Sequence, residues 1–310
     1  MILVAGGTGM LGTKVVGLLR QRQLEVRVLT RDRNRAADLA SAGVDIVEGN
    51  VGDPAAVQRA VNGVDTVVSA IHGFAGPNNT GSPASVDRDG NHNLIKAARE
   101  AGVEHMVLLS VWDASPDHPM DLMRMKHAAE EELKASGLAW TIIRPASYME
   151  LWCYLLGGPL LEKGKTQVFG HGDNPINWVS AADVARFVEL SVIDPELRGR
   201  VIELGGPENL TMNEFVEVFR SETTSGGKVG HIPPAAMRVM AVLMKAINPS
   251  MARQVQAGIV MNTRPQAFDA SETRRQYPSI PITTLAEVVR REFRDSPGAA
   301  RASAAAAMQP

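Results

Sequence analysis

The chain has a single cysteine, Cys153, and this scarcity limits the kinds of protein that the sequence can encode. One cysteine forms no internal disulfide, so the fold must be held by packing and hydrogen bonds, as is usual in a reducing compartment. Cys153 lies in the apolar run 151–156, where a free cysteine usually acts as a small buried hydrophobe. We therefore expect neither a disulfide framework nor a catalytic thiol.

An excess of one charge is also missing, because 32 Lys and Arg residues stand against 34 Asp and Glu residues. A protein whose main partner is a polyanion usually carries a basic surplus. We therefore expect no nucleic acid partner. At 310 residues the chain is long enough to bury one large core, or a main domain with a smaller partner, without metals or disulfides.

Long hydrophobic runs are absent, since no apolar stretch reaches the roughly 20 residues that span a bilayer. The nearest, residues 233–247, contains Arg238 and Lys245 and predicts an amphipathic helix. Such a helix is more often a lid or a core element than a membrane anchor, with association at a membrane surface as the alternative. The sequence opens on a strand candidate without a basic and apolar leader, so we expect a cytoplasmic protein.

Motifs of metal and nucleophilic catalysis are missing as well. The seven histidines show no HExxH spacing, and no cysteine cluster accompanies them, so we predict no metal site. The chain has no nucleophile elbow and no P-loop lysine.

What the sequence does contain is a regular alternation of short β-branched runs with helical patterns. The strand candidates are residues 2–5, 25–30, 45–48, 66–70, 105–110 and 140–144. Helical stretches begin at Leu11, Arg35, Pro54, Asp87 and Asp121. Strict alternation with nearly all-apolar strands favours a parallel sheet covered by helices on both faces. We therefore predict an α/β fold with a doubly wound, Rossmann-like parallel sheet.

The rhythm changes after Pro145 and suggests a division of the chain. We assign residues 1–150 to the Rossmann-like domain and 151–295 to a smaller, helix-rich portion on the substrate side. Strand and helix patterns between 176 and 205 leave open that the chain crosses back to the sheet there. Residues 296–310 are low in complexity and predicted to be disordered.

A glycine-rich segment, GGTGMLG, follows the first strand candidate and opens the first helix. At this position the chain must turn sharply, bring its backbone against a pyrophosphate and pack the helix on the strand, and glycine meets each need. The free amides of the helix N-terminus then bind the phosphates. We predict a dinucleotide-binding loop made of Gly6, Thr8, Gly9, Met10, Leu11 and Gly12.

The end of the second strand distinguishes between the two nicotinamide cofactors. Binding of NAD usually requires an acidic residue at the strand tip, where this chain has Thr30. Arg31 and Arg35 follow, and guanidinium groups bind phosphate through forked, charge-assisted hydrogen bonds. We therefore predict that both contact a 2'-phosphate and that NADP(H) is preferred. Asp32 keeps NAD(H) open, because on a longer strand its carboxylate would reach the ribose of NAD.

These segments together resemble the short-chain dehydrogenase/reductase superfamily and, within it, the atypical NmrA-like NAD(P)-binding branch. The resemblance covers residues 1 to about 220. It rests on the GxxGxxG form of the loop and on the segments GNVGD, GVDTVVSA, LLS, WTIIRP and WVSAADVARF, in this order. It implies that Asn50 and Val51 flank the adenine, that Ala70 and Ile71 pass near the nicotinamide-side ribose, and that Pro145 borders the nicotinamide.

The resemblance also singles out the fifth helix, where typical members carry a Tyr four residues before a Lys. The Tyr exchanges a proton with the substrate, and the Lys lowers the pKa of the Tyr and holds the ribose. Lys126 matches that Lys, but Leu122 stands in place of the Tyr. We predict that Lys126 binds the ribose and is a candidate proton donor. The competing interpretation is an exposed lysine paired with Glu130 one turn later.

Other proton donors are then needed as candidates. Tyr148 follows the RPAS turn on the side expected for the substrate, and it is our second catalytic candidate. The remaining acid candidates are four histidines: His72, His118, His127 and His171.

These features favour an NADPH-dependent reductase of a small apolar or aromatic acceptor, such as a carbonyl, an enone or a quinone. A small-molecule substrate is therefore the expected partner. Leu122 also supports an alternative, a non-catalytic NADP(H)-sensing regulator or an assembly or subunit factor with a protein partner. A redox-neutral isomerase or epimerase is a further alternative with the same fold.

Overall fold

The structure is a computed structural model that describes residues 1–74 and 81–294. The predicted disorder of residues 296–310 lies outside the described residues. The strands are β1 (Ile2–Ala5), β2 (Val26–Thr30), β3 (Asp45–Glu48), β4 (Thr66–Ser69), β5 (His105–Leu109), β6 (Ala139–Pro145), β7 (Ser147–Tyr148), β8 (Lys165–Phe169), β9 (Ile176–Val179), β10 (Arg200–Leu204), β11 (Glu208–Leu210) and β12 (Lys228–Ile232).

Helices connect most of these strands. They are α1 (Met10–Gln21), α2 (Ala37–Ser41), α3 (Pro54–Val61), α4 (Asp89–Glu100), α5 (Asp121–Ala135), α6 (Met149–Trp152), α7 (Gly158–Lys163), α8 (Ala181–Ile193), α9 (Met212–Thr223), α10 (Pro234–Ile247), α11 (Pro249–Thr263), α12 (Ser271–Gln276) and α13 (Leu285–Val289). Short π-helical segments at Pro83–Arg88, Cys153–Gly157 and Arg290–Arg294 and 3-10 turns at Arg33–Ala36 and Pro195–Leu197 complete the described elements.

Seven of the strands form one parallel sheet in the order β10-β6-β5-β4-β1-β2-β3. The chain runs outward from β1 in one direction through β2 and β3, then crosses back to β4 and continues in the other direction. This order is the doubly wound arrangement, so the predicted fold class is confirmed. The point where the order reverses, between β1 and β4, is where such sheets bind their ligands.

Both faces of the sheet are buried, and this explains the all-apolar strands. In β1, Ile2 and Val4 belong to one core and Leu3 and Ala5 to the other, because successive side chains of a strand point to opposite faces. Helices α1 and α8 cover the first face, while α3, α4 and α5 cover the second.

The residues after β6 build a smaller layer around a third core. Strand β9 pairs with β7 in parallel and with β11 in antiparallel orientation, and Trp178 lies fully buried among aromatic side chains. The chain returns to the main sheet at β10, which extends the sheet beside β6, while α8 packs along α1. Residues 181–204 therefore belong structurally to the seven-stranded sheet and its helices.

Cys153 is buried in the third core, and burial raises the pKa of its thiol well above the usual value. The prediction of a small buried hydrophobe is therefore confirmed. Within residues 1–74 and 81–294, no helix has both the length and the apolar character needed to cross a membrane.

Candidate nucleotide-binding site

The predicted cofactor residues lie at the carboxyl end of the sheet, because most of them directly follow its parallel strands. We call this end of the sheet the carboxyl edge. Gly6 follows β1, Arg31 follows β2, Asn50 follows β3 and Ala70 follows β4. Pro145 ends β6, two strands beyond β4. The edge therefore brings together residues that are distant in the sequence.

Gly6 and Gly12 are required by the local geometry of the loop. Gly6 has a φ of +84°, and a Cβ there would stand 2.6 Å from the carbonyl oxygen of Ala70. A Cβ on Gly12 would stand 2.1 Å from the carbonyl oxygen of Gly6. Neither position accepts a side chain, because the first makes a left-handed turn and the second lets α1 pack against the loop.

The start of α1 offers its backbone to a ligand. Its N-cap is Gly9, which has no side chain to satisfy the first amides, and the first turn contains no acidic residue. Thr8, Gly9 and Met10 are partly exposed, whereas Leu11 and Gly12 are buried in the direction of the sheet. The amides of this turn are therefore available to an anion, as a pyrophosphate site requires.

Two arginines, Arg31 and Arg35, follow the end of β2. The strand ends at Thr30, and Arg31 is exposed. Desolvation by nearby protein atoms, followed by the charge of Arg35, lowers the pKa of Arg31. Asp32 accepts a hydrogen bond from the Asn34 amide at 2.9 Å and thereby caps the short turn at Arg33–Ala36. The charge of Arg35 therefore acts on Arg31, and a doubly charged anion between the two guanidinium groups would relieve their repulsion.

The residues expected beside the adenine and the ribose have the following contacts. Asn50 is exposed, and its Oδ1 accepts a hydrogen bond from the Gly52 amide. Val51 is partly buried, and its carbonyl accepts a hydrogen bond from Asn93 at 2.8 Å. The Ala70 amide donates to the Ala5 carbonyl at 2.9 Å, which continues the pairing of β4 with β1 past the end of the strand.

Lys126 is buried, with 3% of its side chain exposed, and its ammonium contacts three protein groups. Its Nζ donates to the carbonyls of Ile71 at 2.8 Å and Leu109 at 2.7 Å. It also lies 3.1 Å from Oδ1 of Asp87, an ion pair without good hydrogen-bond geometry. The interpretation of Lys126 as an exposed lysine is therefore wrong. A ribose contact requires one of these three partners to give way, since an ammonium has three donors.

Asp87 is a site residue that sequence reasoning missed. Its side chain is fully buried on the segment before α4, and Oδ2 accepts a hydrogen bond from the Gly73 amide at 2.8 Å. Together, Asp87 and Lys126 fix the backbone of residues 71–73, directly after the end of β4. In the sequence Asp87 looks like an ordinary acidic residue at a helix start, so no local signal distinguishes it.

Glu130 does not pair with Lys126. Its carboxylate receives two hydrogen bonds from Arg144, at 2.9 and 2.6 Å, and one from the Ser110 hydroxyl. Ser110 is buried and its hydroxyl is used by Glu130, while Leu122 on α5 is partly exposed. Among the described residues, side-chain ligand atoms of His127, Glu130 and Glu131 lie close together, but Arg144 already neutralises the Glu130 carboxylate.

Tyr148 ends β7, immediately beyond the end of β6. It is partly buried against the core that α1 and α8 cover. Burial, and secondarily the charge of Glu150, raises the pKa of its phenol. The hydroxyl therefore keeps its proton at neutral pH and can donate a hydrogen bond, while its raised pKa makes it a weaker acid than a free phenol.

The four histidine candidates differ in burial and in their position in the fold. His72 is exposed directly after Ile71, and crowding by protein atoms lowers its pKa more than the charges of Lys126 and Arg31 do. His118 is buried and accepts a hydrogen bond from the Met120 amide at 3.1 Å. His127 lies on α5 beside Lys126, and His171 is exposed in the loop after β8. Only His72 combines exposure with a place at the carboxyl edge beside the Lys126 pair.

An aromatic pair extends this edge beyond β5. Trp112 stacks on Phe268 with ring centroids 5.0 Å apart and planes inclined by 7°. The Trp112 amide donates to the carbonyl of Pro145 at 2.9 Å, so the aromatic pair is tied to the residue predicted to border the nicotinamide. No local pattern in the sequence points to this pair, because Trp112 and Phe268 are far apart in the chain.

Comparison with known proteins agrees with this geometry. Residues 6–195 match the family described as NAD(P)H-binding. The chain is 30% identical over 212 residues to an NAD(P)H azoreductase of Xenophilus azovorans, with 68% of this chain and 70% of that protein covered. It is 28% identical over 240 residues to the photosystem II assembly factor Ycf39 of Synechocystis, with 77% and 72% covered.

A solved structure resembles the chain over nearly its whole length. The NADPH complex of the NADPH-dependent quinone oxidoreductase of Escherichia coli aligns with a TM-score of 0.76 and 24% identity, covering 94% of this chain and 100% of that one. At this identity the likeness shows the fold. With the family match over residues 6–195, it confirms the predicted resemblance at the level of the nucleotide-binding family. The chain belongs to the NAD(P)H-binding family.

Proposed function

We propose that the protein is an NADPH-dependent reductase of a small, flat apolar or aromatic acceptor, such as a quinone, an enone or a ketone. The observation that carries the proposal is the hydrogen bond that joins Pro145, at the carboxyl end of β6, to Trp112, whose ring stacks on Phe268. The Trp112 amide is bonded to the Pro145 carbonyl, so the backbone that carries the stacked rings lies beside the residue that we expect at the nicotinamide. An aromatic surface there favours a planar acceptor over a hydrophilic one.

The preference for NADPH is supported by Arg31 and Arg35. Their adjacent charges suit a 2'-phosphate, and the Asp32 carboxylate, which an NAD ribose would need, is used to cap the following turn. The uncapped start of α1 supplies the backbone amides for the pyrophosphate.

The bound nicotinamide would supply the hydride. Pro145 and the Trp112 ring would orient the acceptor, and the Tyr148 phenol, protonated at neutral pH, would donate a hydrogen bond or a proton to its oxygen. Lys126 and Asp87 would fix the backbone of residues 71–73 beside the cofactor. The predicted contact of Lys126 with the ribose remains part of the proposal. It requires the ammonium to give up one of its three protein partners for a ribose hydroxyl.

Relatives support this class of reaction. The Xenophilus protein is named as an NAD(P)H azoreductase and the Escherichia coli structure as an NADPH-dependent quinone oxidoreductase, and both names describe reduction of conjugated acceptors. The test is NADPH oxidation by the purified protein with a panel of quinones, azo dyes, enones and ketones. We expect turnover with at least one conjugated acceptor. Tight NADPH binding without oxidation across the panel would contradict the proposal.

A second function is favoured by Leu122 and by the buried state of Lys126. A protein that binds NADP(H) without turnover needs no Tyr at position 122, and the Synechocystis relative is named as an assembly factor. In that case a stoichiometric protein partner would copurify with the chain and its affinity would change with NADPH. Equal affinity with and without NADPH would remove the regulatory form of this alternative.

A further inference from the structure

Helix α10 has an apolar stripe that faces solvent. Val239, Val242, Leu243 and Ile247 are each more than half exposed. Their spacing of three and four residues places them on one face of the helix. Met237, on the opposite face, is buried, and α10 packs along α11. The exposed stripe is therefore the side of the helix hairpin that faces away from the protein.

The segment that contains this stripe has Lys and Arg residues but no acidic ones. Residues 223–268 contain five basic residues, Lys228, Arg238, Lys245, Arg253 and Arg264, and no Asp or Glu. Arg238 and Lys245 are seven residues apart on α10, so they border the apolar stripe along one side, and both are exposed. Neither has a hydrogen bond or ion pair among the residues that the structure describes.

We propose that α10 binds the surface of a bilayer containing anionic lipids, with the stripe in the interface and Arg238 and Lys245 at the headgroups. An exposed apolar face bordered by unpaired cations is typical of helices that lie in the membrane interface. At 14 residues the helix is about 21 Å long, less than the roughly 30 Å of a hydrocarbon core, so it lies along the surface.

A second copy of the chain fits this face less well than a membrane does. A two-fold contact through α10 would bring two sets of like charges together without an acidic partner, since residues 223–268 have none. An anionic lipid surface supplies the missing negative charge.

The hairpin of α10 and α11 contacts the segment that follows β4, and this contact bears on how a substrate would reach the cleft. Arg253 on α11 donates to the carbonyls of Phe74 at 3.4 Å and Gly81 at 3.3 Å, on the segment that follows β4. A bilayer at α10 therefore lies close to the acceptor side of the nucleotide cleft. Delivery of an apolar acceptor from the membrane rests on the proposed reductase function, whereas membrane binding itself does not.

The test is flotation of the full chain with vesicles, without NADPH or acceptor. We expect binding to vesicles of mixed phosphatidylcholine and phosphatidylglycerol and much weaker binding to pure phosphatidylcholine. The double variant Arg238→Gln/Lys245→Gln should bind about 30-fold more weakly, the loss expected for two cations near an anionic surface. Val242→Ser/Leu243→Ser should bind about tenfold more weakly or worse, because it removes the apolar contact.

Matched controls separate this surface from general charge and hydrophobicity. Arg59→Gln/Arg99→Gln removes two exposed cations elsewhere, and Ile193→Ser/Val201→Ser removes exposed apolar side chains elsewhere. Both should bind as the wild type does, and NADPH titration verifies that every variant is folded. Absence of vesicle binding, or equal binding by all variants, would overturn the proposal. So would a dimer that Val242→Ser/Leu243→Ser dissociates while vesicles bind nothing.

Discussion

The Lys126 ammonium lies 3.1 Å from the Asp87 carboxylate, and both side chains are buried. The pair joins α5 to the segment before α4, and through the Gly73 amide it holds the residues that follow β4. In this structure Lys126 is thus a positioning residue, and its expected contact with the ribose depends on how firmly this pair is closed.

Breaking the pair should destabilise the protein. Lys126→Met leaves a buried carboxylate without its cation, and we expect a loss of about 3–5 kcal/mol in the free energy of unfolding. Adding Asp87→Asn removes the stranded charge and should recover most of that loss. Urea unfolding of the single and double variants measures both effects. A single variant as stable as the wild type would show that the pair is not closed in solution.

The same double variant tests whether Lys126 contacts the ribose. Without such a contact, the affinity of Lys126→Met/Asp87→Asn for NADPH should stay within a few-fold of that of Asp87→Asn, which disturbs the same loop but keeps the lysine. A direct ribose contact would instead cost about tenfold or more in the stable double variant. Fluorescence titration with NADPH decides between these results.

Arg31→Ala should weaken NADPH binding about 10- to 100-fold and leave NADH binding nearly unchanged, because only NADPH carries the phosphate that the guanidinium binds. Arg33→Ala is the matched control, since Arg33 is in the same turn but donates to the Ile46 carbonyl. Titration with both nucleotides gives the two affinities. An equal loss for NADPH and NADH would refute the 2'-phosphate role.

Gly12→Ala should abolish NADPH binding and destabilise the loop, because the added Cβ would stand 2.1 Å from the Gly6 carbonyl oxygen. Gly17→Ala, in the same helix, meets no atom within 4 Å and should stabilise the protein by about 1 kcal/mol while binding NADPH normally. Thermal unfolding and NADPH titration of both variants test the contrast. Normal binding by Gly12→Ala would show that the loop is not held as described.

Tyr148→Phe should lower kcat about 100-fold for an acceptor that the wild type reduces, with NADPH affinity unchanged, since the phenol is the proposed proton donor. Tyr277→Phe is the control, because Tyr277 packs against the same core and should retain activity. If His72→Gln lowers kcat and Tyr148→Phe does not, proton donation belongs to His72.

His105 should make stability depend on pH. Burial lowers its pKa from 6.5 to about 4, and its Nε2 is bonded to the Thr141 hydroxyl at 3.0 Å. The unfolded chain therefore binds the proton more readily, so the contribution to stability is complete above pH 6.5 and is lost as the pH falls toward 4. We expect about 2 kcal/mol less stability at pH 5 than at pH 7 from this group.

Replacement tests that origin. His105→Gln should remove this part of the pH dependence, whatever its effect on stability at neutral pH. His171→Asn, which changes an exposed histidine, should leave the dependence as in the wild type. Urea unfolding across the acidic range measures the slope, and an unchanged slope in His105→Gln would assign it to other groups.

The fold and the backbone of the glycine-rich loop were predictable because both depend on local rules. Alternation of apolar strands and helices requires a parallel sheet with two covered faces, and the strand bounds agree to within one residue for β1 through β6. The start of the helix at Pro54 was also predictable, because Asp53 caps the N-terminus of α3 by accepting a hydrogen bond from the Ala55 amide. Gly6 and Gly12 are fixed by backbone conformation and close packing, which sequence patterns express directly.

The partners of the charged site residues were not predictable in the same way. From spacing alone Lys126 pairs with Glu130, whereas the fold gives Lys126 to Asp87 and Glu130 to Arg144. A buried charge is stable only when an oppositely charged group lies close to it in good geometry. Which group that is depends on which helices and strands pack together. The sequence alone therefore determined the sheet, the phosphate loop and the arginines beyond β2. Only the tertiary structure decided which carboxylate holds Lys126 and where Trp112 meets Phe268, because these contacts join segments that are distant in the chain.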